Sequence, residues 1–240
     1  MHILGTLLII AILGFCGWQG WKRGILGGVL AVVFIIVAVY GGNLVANTYS
    51  DEFTTMFRPF VSGYLDRVEA EITEELVPAN MPGLSTEDLI RLEPGAEHVL
   101  VEQVFLSLGV HESRVEKLAD RYHTERSEGL SVNRSLTNVL VYAFCFLLVF
   151  VVGFLLILIA LTVIYNIIPF SFRIPGIRLI DGIGGAVLGV GQGLLLVFML
   201  TWLLGYLGLP LNFLSEGFLE RAGFIEFFVR NNPMTNYINI

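Results

Sequence analysis

Residues 17–24 read "GWQGWKRG", and they join two uncharged apolar runs, Ile3 to Trp18 and Gly24 to Gly42. One helix over residues 3 to 42 would be roughly 60 Å long, about twice the hydrocarbon core of a bilayer. It would also hold Lys22 and Arg23 near the bilayer centre, at roughly 2.5–3.5 kcal/mol each. Folding back within 17–24 avoids both problems. The cations then reach the interface, and Trp18 and Trp21 take headgroup depth. Gly17, Gly20 and Gly24 are expected to relax the backbone there. The stretch reads as a hairpin turn at a membrane surface. A cleaved signal peptide would instead need cations ahead of the apolar run and a small-residue cleavage site behind it. Here only Met1 and His2 come first, and the cations follow.

The whole chain has the same character. It has 240 residues, 55% hydrophobic and 15% charged, with a mean hydropathy of +0.76. A soluble domain carries about 25% charged residues. Two more uncharged blocks, Ser135 to Phe172 and Gly182 to Ser215, bring the total to four. Aromatic residues serve as rulers: Tyr142 to Tyr165 is roughly 34 Å of helix, Ile180 to Trp202 roughly 33 Å, and Lys22 to Tyr40 roughly 27 Å. The expected fold is all-α, a polytopic membrane protein with four transmembrane helices in two hairpins and an acidic helical segment between them. The expected boundaries are 1–44 for the first hairpin, 45–136 for the acidic segment, 137–209 for the second hairpin and 210–240 for an amphipathic tail. Lys22 and Arg23 lie in one short connection, Arg173 and Arg178 in the other. Positive short loops stay in the cytoplasm, which places residues 45–136 and the tail outside. The tail's Arg221 and Arg230 oppose this mildly.

Residues 43–136 hold 17 of the 21 acids and eight Lys or Arg, a net charge of −9. Their pattern reads as short amphipathic helices separated by turns. Leu65, Val68, Ile72 and Leu76 share one face, and the run breaks at Pro78 to Gly83. Ser85 with Asp88 and Ser113 with Glu116 resemble capping boxes, and Gly109 and Gly129 suit helix ends. Such a segment serves as a solvated cap, or as a docking surface for a cationic peptide or protein. Nucleic acid is not an expected partner, with a pI near 5.1 and no basic patch. Residues 214–230 place Phe218, Ala222, Ile225 and Val229 on one face, with Glu226 and Arg230 paired on another. That pattern predicts an outer-surface helix lying in the membrane interface.

No catalytic, cofactor-binding or metal-ligating set emerges. His98, His111 and His123 lack the H-E-x-x-H spacing of a metal site. Cys16 and Cys145 fall at different depths of different spans, so a disulfide is not expected. No Gly-Lys pair closes a phosphate loop. The chain is read as not an enzyme, with no cofactor. Two polar groups lie within the spans: Asp181 opens the fourth, where a carboxylate suits the helix N-terminus, and Gln192 sits deeper, where it reads as interhelical glue.

Glycine is the most ordered signal in the spans. Gly185, Gly189 and Gly193 repeat every four residues, as do Gly20, Gly24 and Gly28. Small residues at this spacing let helix backbones approach, which drives packing where lipid supplies no hydrophobic force. "GGVLAV" at 27–32 and "GGAVLGV" at 184–190 faintly suggest two related halves. These features together resemble the bacterial colicin V production proteins. The carriers are the aromatic-basic-glycine turn at 17–24, the Gly-rich second span, and "LIDGIGGAVLGVGQGLLLV" at 179–197. The resemblance covers roughly residues 3–45 and 136–208, and not the acidic segment or the tail from Leu209. It implies a multi-pass protein of the bacterial inner membrane, accessory to toxin production, secretion or envelope maintenance, with no catalytic residues. Two alternatives remain open on the residues: a channel or transporter subunit, and a membrane-anchored docking scaffold. The expected partners are the lipid bilayer, a second copy in a homo-oligomer or other membrane proteins, and a cationic molecule at the acidic segment.

Overall fold

The computed structural model describes residues 2–76, 85–93, 95–108, 110, 112–167, 178–205 and 223–238. Among these every regular element is a helix: α1 (His2–Leu76), α2 (Thr86–Leu92), α3 (Ala96–Ser107), α4 (Glu112–Ser127), α5 (Val132–Ile167), α6 (Arg178–Leu204), α7 (Gly223–Arg230) and α8 (Met234–Tyr237). Three helices are long and apolar enough to cross a membrane, over Thr6–Gly63, Val132–Ile167 and Leu179–Leu204. The chain divides into two compact units. One takes residues 1–46, 149–203 and the described part of 217–239; the other is built mainly from 47–148.

In the first unit, α1 is broken at Gly24, whose φ of 75° and ψ of −177° suit a residue without a Cβ. Both halves of α1 pack on the same stretch of α6. A Cβ on Gly20 would strike Gly185 and Gly189, and one on Gly28 would meet Leu188 and Gly185. Residues 20 and 28 would stand roughly 12 Å apart in an unbroken helix. The chain therefore doubles back at Gly24. Before the break, contacts run from Leu13 at Gly193 to Gly24 at Asp181. Beyond it they run the other way, from Gly28 at Leu188 to Ile35 and Leu195, which line one cavity. The second half runs opposite to α5, with Gly27 near Tyr165, Gly41 near Ile157 and Gly153 near Val45. The first half of α1 thus shares its direction with α5, and the second half with α6.

The reversal is tighter than the expected turn over 17–24. Gly17 and Gly20 stay helical and spend their missing side chains on packing, so the backbone is relaxed at Gly24 alone. The expected boundaries at 44 and 136 both fall inside helices, as do the divisions between the compact units after residues 46 and 148. α1 continues to Leu76, where a separate short helix over Leu65 to Leu76 was expected, and α5 begins at Val132. The cause is the second unit's core, in which Leu65 and Ile72 of α1 meet Leu136 and Val139 of α5. Burial there stabilises both helices well beyond their apolar runs. Two of the aromatic rulers are covered by protein. Tyr142 is buried with the Arg121 guanidinium 3.4 Å above its ring centre. Trp202 is fully buried against Phe150, with centroids 5.2 Å apart.

The second unit completes its core with Ile90 of α2, Leu100, Val104 and Phe105 of α3, and Leu118 and Tyr122 of α4. Ser85 caps α2, accepting from the Asp88 N–H at 3.3 Å and donating its hydroxyl to the Asp88 carboxylate at 2.6 Å. α4 starts at Glu112, so Ser113 lies in its first turn rather than ahead of it. Gly129, at φ 83°, ends α4 with its N–H on the Arg126 carbonyl. Arg126 bridges Glu87 and Glu97, each at 3.1 Å. Glu87 also accepts the Val132 N–H at 2.8 Å, capping α5. The expected break at 78–83, together with Gly109 and His111, lies outside the described residues.

Phe218, Arg221 and Ala222 lie outside the described residues, while Phe228 and Val229 of α7 are buried with Ile9 and Val197. Asn232 donates to the Phe198 carbonyl at 2.7 Å and bonds Thr201 at 3.1 Å. The described tail packs on protein.

Candidate functional site

Where the first half of α1 crosses α6, backbone lies on backbone. A Cβ on Gly185 would strike the Gly20 carbonyl, and one on Gly189 would strike the Cys16 carbonyl and stand 3.0 Å from the Gly20 Cα. Gly193 packs on Leu13 and Cys16. Each helix supplies glycines at intervals of four residues, so the two small-residue faces coincide along the crossing. Approach this close permits Cα–H to carbonyl contacts, worth perhaps 0.5–1 kcal/mol each in general. It also excludes lipid from the seam.

The seam ends at the chain reversal. The Asp181 carboxylate fills the space beside Gly24, and its Oδ1 accepts the Ile25 N–H at 2.9 Å. Ile25 begins the second half of α1, where helix N–H groups lack an internal partner. The carboxylate satisfies one of them and meets the positive end of the helix dipole. The sequence expectation placed Asp181 at the N-terminus of its own helix. The structure adds that it caps a second, more distant helix start. That role depends on residue 24 having no side chain.

The aromatic and cationic residues surround this reversal. Trp18 and Trp21 are about half exposed, and the Lys22 ammonium lies 3.6 Å from the Trp18 ring centre. Trp21 packs on Gly182. Arg23 is exposed, and Arg178 opens α6. Arg173 lies outside the described residues. Gln192 is half-buried on α6. A second glycine crossing went unremarked in the sequence: Gly42 meets Phe150 and Phe154, and Gly153 meets Val45 and Gly42. Its signal was the Gly41-Gly42 pair, which reads equally well as the end of a span.

Titratable groups of the second unit serve its packing. Burial, followed by the hydrogen bond its hydroxyl donates to Glu97 at 2.7 Å, pushes the Tyr122 phenol far above its ordinary range. Burial, then the neighbouring Arg114 charge, lowers Lys117. The His98 and His123 rings are stacked with centroids 6.5 Å apart. Among the described residues no group of three His, Cys, Asp or Glu is placed to hold a metal ion. The chemistry available at the seam is close packing and helix capping.

Comparison with curated proteins and with solved structures finds no match. The family model described as colicin V production protein matches residues 115–233. The match begins within α4, in the acidic segment, and takes in α5, α6 and α7. It therefore extends past the 136–208 of the sequence resemblance on both sides, and it leaves out residues 3–45. Residues 115–233 thus match the colicin V production protein family, in an all-helical chain with three helices long and apolar enough to cross a membrane.

Proposed function

We propose that this chain is a non-enzymatic, multi-pass protein of the bacterial inner membrane, accessory to peptide-toxin production, secretion or envelope maintenance. The family match carries the reading. The described contacts support its architecture. The two halves of α1, with α5 and α6, form four crossings in two hairpins that enter in the same direction. Lys22 and Arg23 with Arg173 and Arg178 hold the two short connections in the cytoplasm, and residues 45–136 and the C-terminal tail lie outside. Cysteines placed at the exposed Ser85 and Ser127 are expected to react with an impermeant thiol reagent in intact cells. One at Ser171 is expected to react only after permeabilisation. The opposite pattern would move the acidic unit to the cytoplasm. For the role itself, a toxin-producing strain lacking this chain should make toxin but release less of it, or leak periplasmic contents. Normal release together with an intact envelope would remove the accessory reading.

A second reading, a membrane-anchored docking scaffold, is favoured by one observation: the acidic segment has a contiguous buried core of its own. A folded, negatively charged unit can present a fixed surface to a cationic partner. Loss of a co-purifying partner on reversing its exposed acids, with the fold kept, would favour the scaffold.

A further inference from the structure

The second unit exposes one ordered apolar face that its own core does not use. Tyr49, Phe53, Met56 and Phe60 of α1 are 48%, 41%, 65% and 76% exposed. Their spacing is four, three and four, the alternation of d and a positions in a heptad, which keeps a straight seam down one side of a helix. The opposite side of this segment is occupied, with Arg58 donating to the Asn138 side-chain oxygen at 3.0 Å and Leu65 fully buried. Lipid is a poor cover for the seam. The segment 50–67 carries Asp51, Glu52, Arg58, Asp66 and Arg67, and each charge in hydrocarbon costs roughly 2.5–3.5 kcal/mol. A surface of three aromatics and a methionine beside such charges has the composition of a protein interface.

We infer that this seam pairs two copies of the chain through parallel α1 helices. Copies inserted in one membrane share one orientation, so a twofold axis relating them stands along the membrane normal and their α1 helices run parallel. A parallel pair with identical a and d residues is self-complementary: Phe53 and Phe60 meet their equivalents in one layer type, Tyr49 and Met56 in the other. Aromatic side chains bury roughly 150–250 Å² each when fully covered. The half-exposed set therefore supplies several hundred Å² per copy, a large part of the roughly 800 Å² per partner of a standard interface. The bilayer confines both copies and holds them in register.

Single cysteines at Phe53, Met56 and Phe60, and at the exposed off-seam Asp51 and Thr55, test this in the full-length protein in native membranes. The native Cys16 and Cys145 are buried, so the parent chain is the uncross-linked control. Mild copper-catalysed oxidation should give a dimer band at 53, 56 and 60 at least fivefold stronger than at 51 and 55. In parallel, Met56→Glu should shift purified protein from dimer to monomer mass while its melting temperature stays within a few degrees of the parent. Equal cross-linking at all five positions, none at any, or seam cross-links only to a different protein would each overturn the pairing. A Met56→Glu variant that remains dimeric would do so as well.

Discussion

Gly189 and Gly191 sit two residues apart on α6, and their alanine variants should move stability in opposite directions. A Cβ at Gly189 would strike the Cys16 carbonyl and stand 3.0 Å from the Gly20 Cα; at Gly191 nothing lies within 4 Å. The obstacle at Gly189 is backbone, so no rotamer change relieves it. To reach ordinary contact the two helices must part by about 1 Å, and a gap of that size forfeits a quarter to a half of each contact's attraction. At roughly 0.1–0.2 kcal/mol per atom pair, a few tens of pairs along the seam lose about 1–3 kcal/mol. This agrees with the usual cost of overpacking, about 1–3 kcal/mol. Against it stands the gain from replacing a helical glycine by alanine, at most about 1 kcal/mol. Gly189→Ala should therefore be destabilised by about 1–2 kcal/mol net. Gly191→Ala should be neutral or gain several tenths of a kcal/mol. The assay is reversible unfolding in mixed micelles followed by tryptophan fluorescence, with both variants at matched membrane levels. Trp18 and Trp21 report on the seam. Equal midpoints for the two variants would refute the backbone-contact reasoning, whatever their common direction.

Three further outcomes are expected. Tyr122 donates to Glu97 as the neutral phenol, so its raised folded value gives stability that is full below the unfolded value of about 10 and lost as pH rises above it. Melting temperature should fall from pH 9.5 to 11.5 in the parent and fall less in Tyr122→Phe; identical slopes would remove Tyr122 as the cause. Asp181→Ala removes the acceptor for the Ile25 N–H and should cost roughly 1 kcal/mol, as a lost helix cap does, while Asp181→Asn keeps most of it. Micelle unfolding measures the pair, and equal losses would mean that the oxygen acceptor is not what matters. Asn232→Leu breaks the bonds to Phe198 and Thr201 and should cost roughly 1–3 kcal/mol by leaving buried partners unmet. Limited proteolysis should then cleave within 223–238 faster than in the parent, and an unchanged rate would show that Phe228 and Val229 hold the tail alone.

The sequence by itself determined that the chain turns near residues 17–24, because hydropathic length and the cost of burying Lys22 and Arg23 are properties of a linear string. It also determined the spacing of Gly185, Gly189 and Gly193, since helical periodicity puts them on one face without reference to anything else. Which glycine breaks the helix was decided elsewhere. Gly17, Gly20 and Gly24 have the same local freedom, and only Gly24 faces a carboxylate able to cap the helix that follows. Helix ends were likewise decided by what lies opposite. α1 runs on to Leu76 and α5 starts at Val132 because a distant core buries Leu65, Ile72, Leu136 and Val139 together. Tyr142 and Trp202 are amphipathic side chains that suit either a headgroup layer or a packed interior, and composition does not distinguish the two. That Arg121 lies above one ring and Phe150 beside the other is a contact that only the assembled chain supplies. Local pattern records what a segment can bury; the partner that buries it comes from remote parts of the chain, and only the assembled structure brings them into contact.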